Sequence, residues 1–293
     1  MQPRQVALAL VWIAPALLSS NYIIARAAAG VVPPHVLALG RWTFALLLLL
    51  PFVVRDLPSM RAAAKAEWPA FLLLGALGMW ICGAFVYIGA ETTTATNIGL
   101  IYAATPVGVA AAGRWFLGEN MSGRRQAALW MALAGVLIVI SRGDANTILQ
   151  VQFTVGDLWI VTAGISWVAY SVLQQLWPST LQARQRLACI MAGGLVFLLP
   201  GAAWDVVQAG WPTAPAKALL LIGLAGLVPG FLSYQAHAVM VRELGATHAG
   251  VIMYLSPVYA AGWAWWILGE TPKWFHLAGA VLILPSVYLV GRR

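Results

Sequence analysis

The stretch GLIYAATPVGVAAAGRWFLGE (residues 99–119) decides how this chain is read, because it returns as GVIMYLSPVYAAGWAWWILGE (residues 250–270). Nine of the 21 paired positions are identical: Gly99, Ile101, Pro106, Val107, Ala110, Trp115, Leu117, Gly118 and Glu119 each find a copy 151 residues on. Further out, LLLGALG at 72–78 matches LLIGLAG at 220–226. Proline inside an apolar helix costs a hydrogen bond, so its recurrence in register marks a duplicated unit. The units expected are 1–142 and 156–293, joined by a linker at 143–155.

With 61% hydrophobic and only 9% charged residues, and a mean hydropathy of +0.83, the chain has too little polar surface for a water-soluble globule. Ten apolar runs, at 6–27, 35–54, 69–90, 93–117, 126–141, 156–177, 187–205, 217–240, 247–268 and 274–291, approach the roughly 20 residues that cross about 30 Å of hydrocarbon as helix. The fifth is short for a span. The expected fold class is an all-α polytopic membrane protein of ten transmembrane helices in two five-helix repeats. Five is odd, so the second copy enters the bilayer from the opposite side and the repeats are inverted. Such a pair has two near-equivalent shapes, one open to each side, which is the architecture of a transporter.

The net charge of +8 follows topology. If the N-terminus is cytoplasmic, twelve basic residues (Arg4, Arg55, Arg61, Lys65, Arg114, Arg124, Arg125, Arg184, Arg186, Arg242, Arg292, Arg293) fall on that side and five (Arg26, Arg41, Arg142, Lys217, Lys273) on the other. The bias places both termini inside. Basic residues spaced between spans are not a nucleic-acid footprint. Arg4 and Ala25-Arg26-Ala27 have some look of a signal peptide, but the duplication needs the first span, so it is expected to be retained. Cys82 and Cys189 sit in apolar runs without metal or redox spacing and read as packing residues.

Thr105-Pro106 with Gly118-Glu119, Ser256-Pro257 with Gly269-Glu270, and Leu39-Gly40-Arg41-Trp42 together resemble the drug/metabolite transporter superfamily, in its EamA branch. The resemblance covers nearly the whole chain. It implies a transporter of the bacterial inner (plasma) membrane that exports amino acids, aromatic and other neutral ones, by alternating access.

The residues suggest where substrate passes. Pro106 frees the carbonyl of Tyr102 and Pro257 that of Met253, at one depth in both copies, so both prolines and Gly230 are candidate hinges. Such a carbonyl must find a partner or line a watery cavity. Most Trp residues, among them Trp68, Trp177 and Trp204, fall at span ends, as an interfacial belt does. Trp80, Trp167 and Trp263 lie deeper. Trp167, Tyr170, Ser171 and Gln174 share a helix face too polar for lipid. Trp80 with Tyr87, Tyr102 with Thr105, Gly230 with Tyr234 and His237, and Tyr254 with Ser256 complete a proposed substrate cavity of aromatic rings and hydroxyls. For any one aromatic plain packing is the favoured explanation, and for either proline alone a packing kink is an equal one.

Arg41 is basic and set well into a span, where an unpaired charge costs about 2.5–3.5 kcal/mol on insertion scales. A structural role is favoured, with free carbonyls or Glu91 as partners, and a substrate carboxylate as the other choice. Glu119 and Glu270 follow glycines at helix ends and are expected to cap the next turn. No Asp or Glu lies at mid-span, so the substrate's own gradient is expected to drive flux. Dispersed His35, His237, His248 and His276, and no carboxylate pair, argue against an enzyme and against metal or cofactor. The partners expected are a small-molecule substrate and the lipid bilayer, with a monomer as the unit. Export of cationic drugs or other small metabolites, coupled to protons, stays open as the alternative.

Overall fold

The computed structural model describes residues 3–212, 214–268, 271 and 273–291. The Ala- and Leu-rich runs form helices α1 (Pro3–Ala28), α2 (Pro34–Leu49), α3 (Leu57–Gly75), α4 (Cys82–Ala90), α5 (Ala95–Leu117), α6 (Gly123–Ile140), the short α7 (Ala145–Leu149), α8 (Val155–Leu176), α9 (Ala183–Ala209), α10 (Pro215–Ala225), α11 (Ser233–Leu244), α12 (Ala246–Ile252), α13 (Ser256–Leu268) and α14 (Trp274–Gly291). No strand occurs among the described residues. Their starts carry the expected signals. Thr154 and Asp157 form a capping box at α8, the Thr94 hydroxyl accepts the Asn97 N–H at α5, and Pro34 opens α2.

Eight helical stretches, not ten, are long and apolar enough to cross a bilayer among the described residues. The shortfall lies in the last two runs. The ninth is interrupted by a 3-10 turn at Met253–Leu255, which splits it into α12 and α13, and the tenth offers only Trp274–Leu289 to that test.

Two stretches are single rods with a π turn inside: Ala76–Ile81 joins α3 to α4, and Gly226–Leu232 joins α10 to α11. A π turn breaks the i to i+4 ladder and frees carbonyls. Here side chains from other helices take them up. Leu77 accepts from Ser166 Oγ (2.8 Å), Gly78 from the Tyr234 hydroxyl (3.1 Å) and Met79 from Trp42 Nε1 (3.0 Å). On the second turn Pro229 accepts from Ser233 Oγ (2.7 Å) and from Arg41 (2.9 Å).

Helix pairings repeat between the halves. α1 lies against α11 and α13, α8 against α4 and α5, while α2 pairs with α9 and α6 with α14. Glycines let three of these rods touch backbone to backbone. A Cβ on Gly75 of α3 would fall 2.3 Å from the Gly194 nitrogen of α9, one on Gly156 of α8 2.5 Å from the Gly89 carbonyl, and one on Gly279 of α14 2.8 Å from the Gly135 carbonyl. One buried cluster joins α2, α3, α4, α8 and α9, and a second joins α5, α6, α12 and α14. Large apolar side chains such as Trp115, Phe116, Val207 and Leu219 face outward, as a lipid-facing surface requires.

Candidate functional site

The centre of the bundle is built on Arg41. Its guanidinium donates to Asn21 Oδ1 (3.2 Å), to the Tyr87 hydroxyl (3.2 Å) and to the Pro229 carbonyl (2.9 Å), and Tyr87 in turn donates to Asn21 (2.7 Å). It lies 4.6 Å from the Trp42 ring centre and 5.9 Å from that of Tyr234, within cation–π reach. The aromatic stack continues away from it. Trp42 meets Tyr234 edge-on at 4.6 Å, Tyr234 meets Trp167 at 5.8 Å and Tyr170 at 6.2 Å, and Trp167 leans on the His237 ring at 4.8 Å. α1, α2, α4, α8, α11 and the second π turn therefore meet at one point.

Polar atoms on the far side of this stack have no protein partner. Both nitrogens of His237, Ser171 Oγ, Gln174 Nε2 and Arg186 Nε are buried and unbonded. Unmade hydrogen bonds of this kind cost about 1–3 kcal/mol each, so these atoms stand ready for a partner from outside the protein chain. Gln174 and Arg186 line a cavity of about 310 Å³ with Gln175, Ile190, Val241 and Arg242, at the end where α8 leads into α9. Arg186 is held there by the Gln174 (2.7 Å) and Trp177 (2.6 Å) carbonyls that end α8, and Arg242 by Glu243 (2.8 Å). Among the described residues no carboxylate lines the cavity. A smaller cavity of about 210 Å³, lined by Glu119, Asn120, Met121, Arg125, Leu244, Thr247 and His248, lies at the same end.

The opposite end is stitched. His35 donates its backbone N–H to Asp205 (2.8 Å), with its ring Nδ1 3.1 Å from the same carboxylate. Asp157 accepts from Thr93, from Asn97 Nδ2 (2.9 Å) and from the Thr154 N–H (2.6 Å), tying α5 to α8. Nearby, burial and then the charge of Asp205 push the Glu91 carboxyl above its ordinary range.

Of the residues read from the sequence, Trp167, Tyr170, Tyr234 and His237 come together, with Ser171 and Gln174 on the same α8 face and Tyr87 joined through Arg41. Trp80 does not join them: it stacks on Phe197 (5.5 Å) and meets Phe85 edge-on, between α4 and α9. Trp263 reaches the Ala16 carbonyl (3.1 Å) on α1. Tyr254 donates to the Ala103 carbonyl (2.8 Å) beside Pro106, while Thr105 and Ser256 are buried near their prolines and Tyr102 is half-buried against the first cluster. Gly230 lies within the second π turn against Ala45 of α2. Glu91 is not a partner of Arg41; Asn21, Tyr87 and a freed carbonyl are.

Glu119 does not cap the next helix. The N-cap of α6 is Ser122, which has no side-chain bond, whereas the Glu119 backbone N–H closes α5 on the Gly113 carbonyl (3.1 Å) and its carboxylate lines the smaller cavity. Glu270 lies outside the described residues. Sequence reasoning passed over Arg186, Arg242, Gln175 and Trp42 as site residues. Trp42 could have been found beside Arg41, and Arg186 as a basic residue bordering the apolar run at 187–205.

An uncharacterized transporter of Archaeoglobus fulgidus is 25% identical to this chain, covering 92% of each. A protein of Streptantibioticus cattleyicolor described as "Probable terminal-alkyne amino-acid exporter" is 27% identical over 80% of this chain and 77% of its own. An S-adenosylmethionine/S-adenosylhomocysteine transporter of Chlamydia trachomatis serovar L2 is 20% identical over 91% and 83%. A crystal structure 17% identical in sequence shares the fold with a TM-score of 0.76, covering 97% of this chain and 96% of that one. The EamA-like transporter family matches twice, over residues 5–141 and 154–292, and the chain, a membrane transporter, belongs to that family.

Proposed function

We propose that this transporter exports amino acids, aromatic and other neutral ones first, as a facilitator working by alternating access. In this reading its ten spans form two inverted repeats, 1–142 and 156–293, with both termini cytoplasmic in a bacterial inner membrane. The cavity at the α8–α9 end then faces the cytoplasm and the stitched end is the closed outer gate. Length, Trp content and the Ser-Ser-Asn-Tyr run in α1 resemble most the bacterial aromatic amino acid exporter YddG.

The observation that carries the reading is the lining of the cavity. Unpaired donors, Gln174 Nε2 and Arg186 Nε, stand there with no carboxylate among the described lining residues, and the helix that carries Gln174 also carries Trp167 and Tyr170, which pack with Tyr234. Donors and a cation suit a carboxylate, and the rings suit an apolar or aromatic side chain. A cationic drug would want the reverse charge. The amino-acid exporter among the relatives supports this, and S-adenosylmethionine itself carries an amino-acid end.

The test is counterflow in liposomes loaded with unlabelled L-phenylalanine or L-threonine, with tracer outside and no ion gradient. Transient accumulation of label that survives a protonophore is expected. A hydrogen bond to a charged group contributes about 1.5–3 kcal/mol, so Gln174→Leu should raise KM roughly tenfold. Accumulation only under an imposed proton gradient, with quaternary cations as better substrates, would replace this reading by the proton-coupled drug exporter.

A further inference from the structure

We infer that Arg41 sets the charge selectivity of the transport path, acting through its field on a carboxylate in the cavity; this deepens the proposed amino-acid reading and rests on it. The guanidinium is 4% exposed, and every hydrogen bond it makes is to a neutral acceptor: an amide oxygen, a phenol and a backbone carbonyl. Its Nε is unbonded. No described Asp or Glu lies within ion-pair distance of it. A buried cation in hydrocarbon is costly unless paired, and a partner was within easy reach. Asn21 Oδ1 already sits 3.2 Å from the guanidinium, so aspartate there would supply the counter-charge with the same shape and the same acceptor. The chain keeps asparagine, and the positive charge stays uncompensated.

The field of that charge has a direction in which to act. The Tyr234 ring stands between Arg41 and Trp167, and Trp167 leans on His237, whose nitrogens are buried and unbonded and whose neighbour Ala238 lines the cavity. Rings and packed side chains lie between the two, so the interaction is screened less than at an exposed surface. A carboxylate moving past Trp167 meets a favourable potential, and a cation meets a barrier. Arg41 is therefore a specificity-determining residue that need not touch the substrate. Arg186, on the first turn of α9 and in the cavity lining, attracts the same group.

The experiment uses full-length protein in liposomes and measures competition against L-phenylalanine counterflow by 3-phenylpropionate, a permanent anion at neutral pH, and phenyltrimethylammonium, a permanent cation. Wild type is expected to favour the anion at least tenfold. Asn21→Asp keeps the Oδ1 acceptor that Arg41 and Tyr87 use, so it should fold at least as stably, yet bring that preference to within about threefold. Arg41→Gln should do the same, and Arg41→Lys should keep the preference. If Asn21→Asp leaves the preference intact, or if Arg41→Gln lowers flux with an unchanged ratio, Arg41 is a positioning residue and the inference fails. Where wild type moves no amino acid at all, the amino-acid reading fails by itself. Thermal shifts by the two competitors on wild type and Asn21→Asp then still decide the selectivity.

Discussion

The two copies of the proline segment share nine identities but not one shape. Through Pro106, α5 runs unbroken from Ala95 to Leu117. At Pro257 the helix breaks, and Met253–Leu255 tightens into a 3-10 turn between α12 and α13. The cause is visible at the freed carbonyl. Pro257 cannot donate to Met253, and the Ser256 N–H reaches it instead through an i to i−3 bond. In the first copy the neighbouring Ala103 carbonyl is taken by the hydroxyl of Tyr254. Ala103 and Tyr254 occupy equivalent places, 151 residues apart, so the copies meet at the point where they differ. Two related sequences in two conformations are what the proposed alternating access needs, each copy taking the other's shape in the opposite state.

The comparison can be broken most sharply at Pro257. Alanine there returns the N–H to Met253, and an interior proline costs a helix about 3 kcal/mol, so Pro257→Ala should favour a continuous α12–α13. We expect counterflow to fall at least tenfold with the fold retained, and backbone amides at 255–258 to gain protection in hydrogen exchange. Tyr254→Phe is the next largest effect. Losing its bond to Ala103 removes about 0.6–1.5 kcal/mol, enough to change the balance of the two shapes, read as exchange rate, about three- to tenfold. Pro106→Ala should matter least, less than about threefold in flux, since α5 is already helical there. Equal effects of the two proline variants would remove the distinction between the copies.

The duplication was legible because identity in register survives in sequence, and the helices because apolar runs of bilayer length leave little else to form. The break at Pro257 was not, since both copies carry the same proline after Thr or Ser, and the outcome depends on which N–H reaches the freed carbonyl. The π turns were equally silent: LLLGALG and LLIGLAG read as plain helix, yet their three-dimensional role is to offer the Leu77, Gly78, Met79 and Pro229 carbonyls to other helices. The α8 face of Trp167, Tyr170, Ser171 and Gln174 could be read from spacing within one helix. Asn21 as the partner of Arg41, and Arg186 beside Gln174, required contacts between helices that periodicity does not encode. Trp80 shows the converse, a deep aromatic whose spacing suited a cavity and whose neighbours, Phe85 and Phe197, make it packing.

Alternating access requires the two ends of the bundle to move in opposite senses, and paired distances measure this. With Cys82 and Cys189 replaced by alanine, spin labels at Ser179 and Arg242 span the rim of the α8–α9 cavity, and labels at Glu91 and Gln208 span the stitched end. On adding saturating L-phenylalanine to protein in lipid, the account predicts that a population appears in which the first distance shortens while the second lengthens. Two distances that stay fixed under conditions of measurable flux, or that lengthen together, would contradict it.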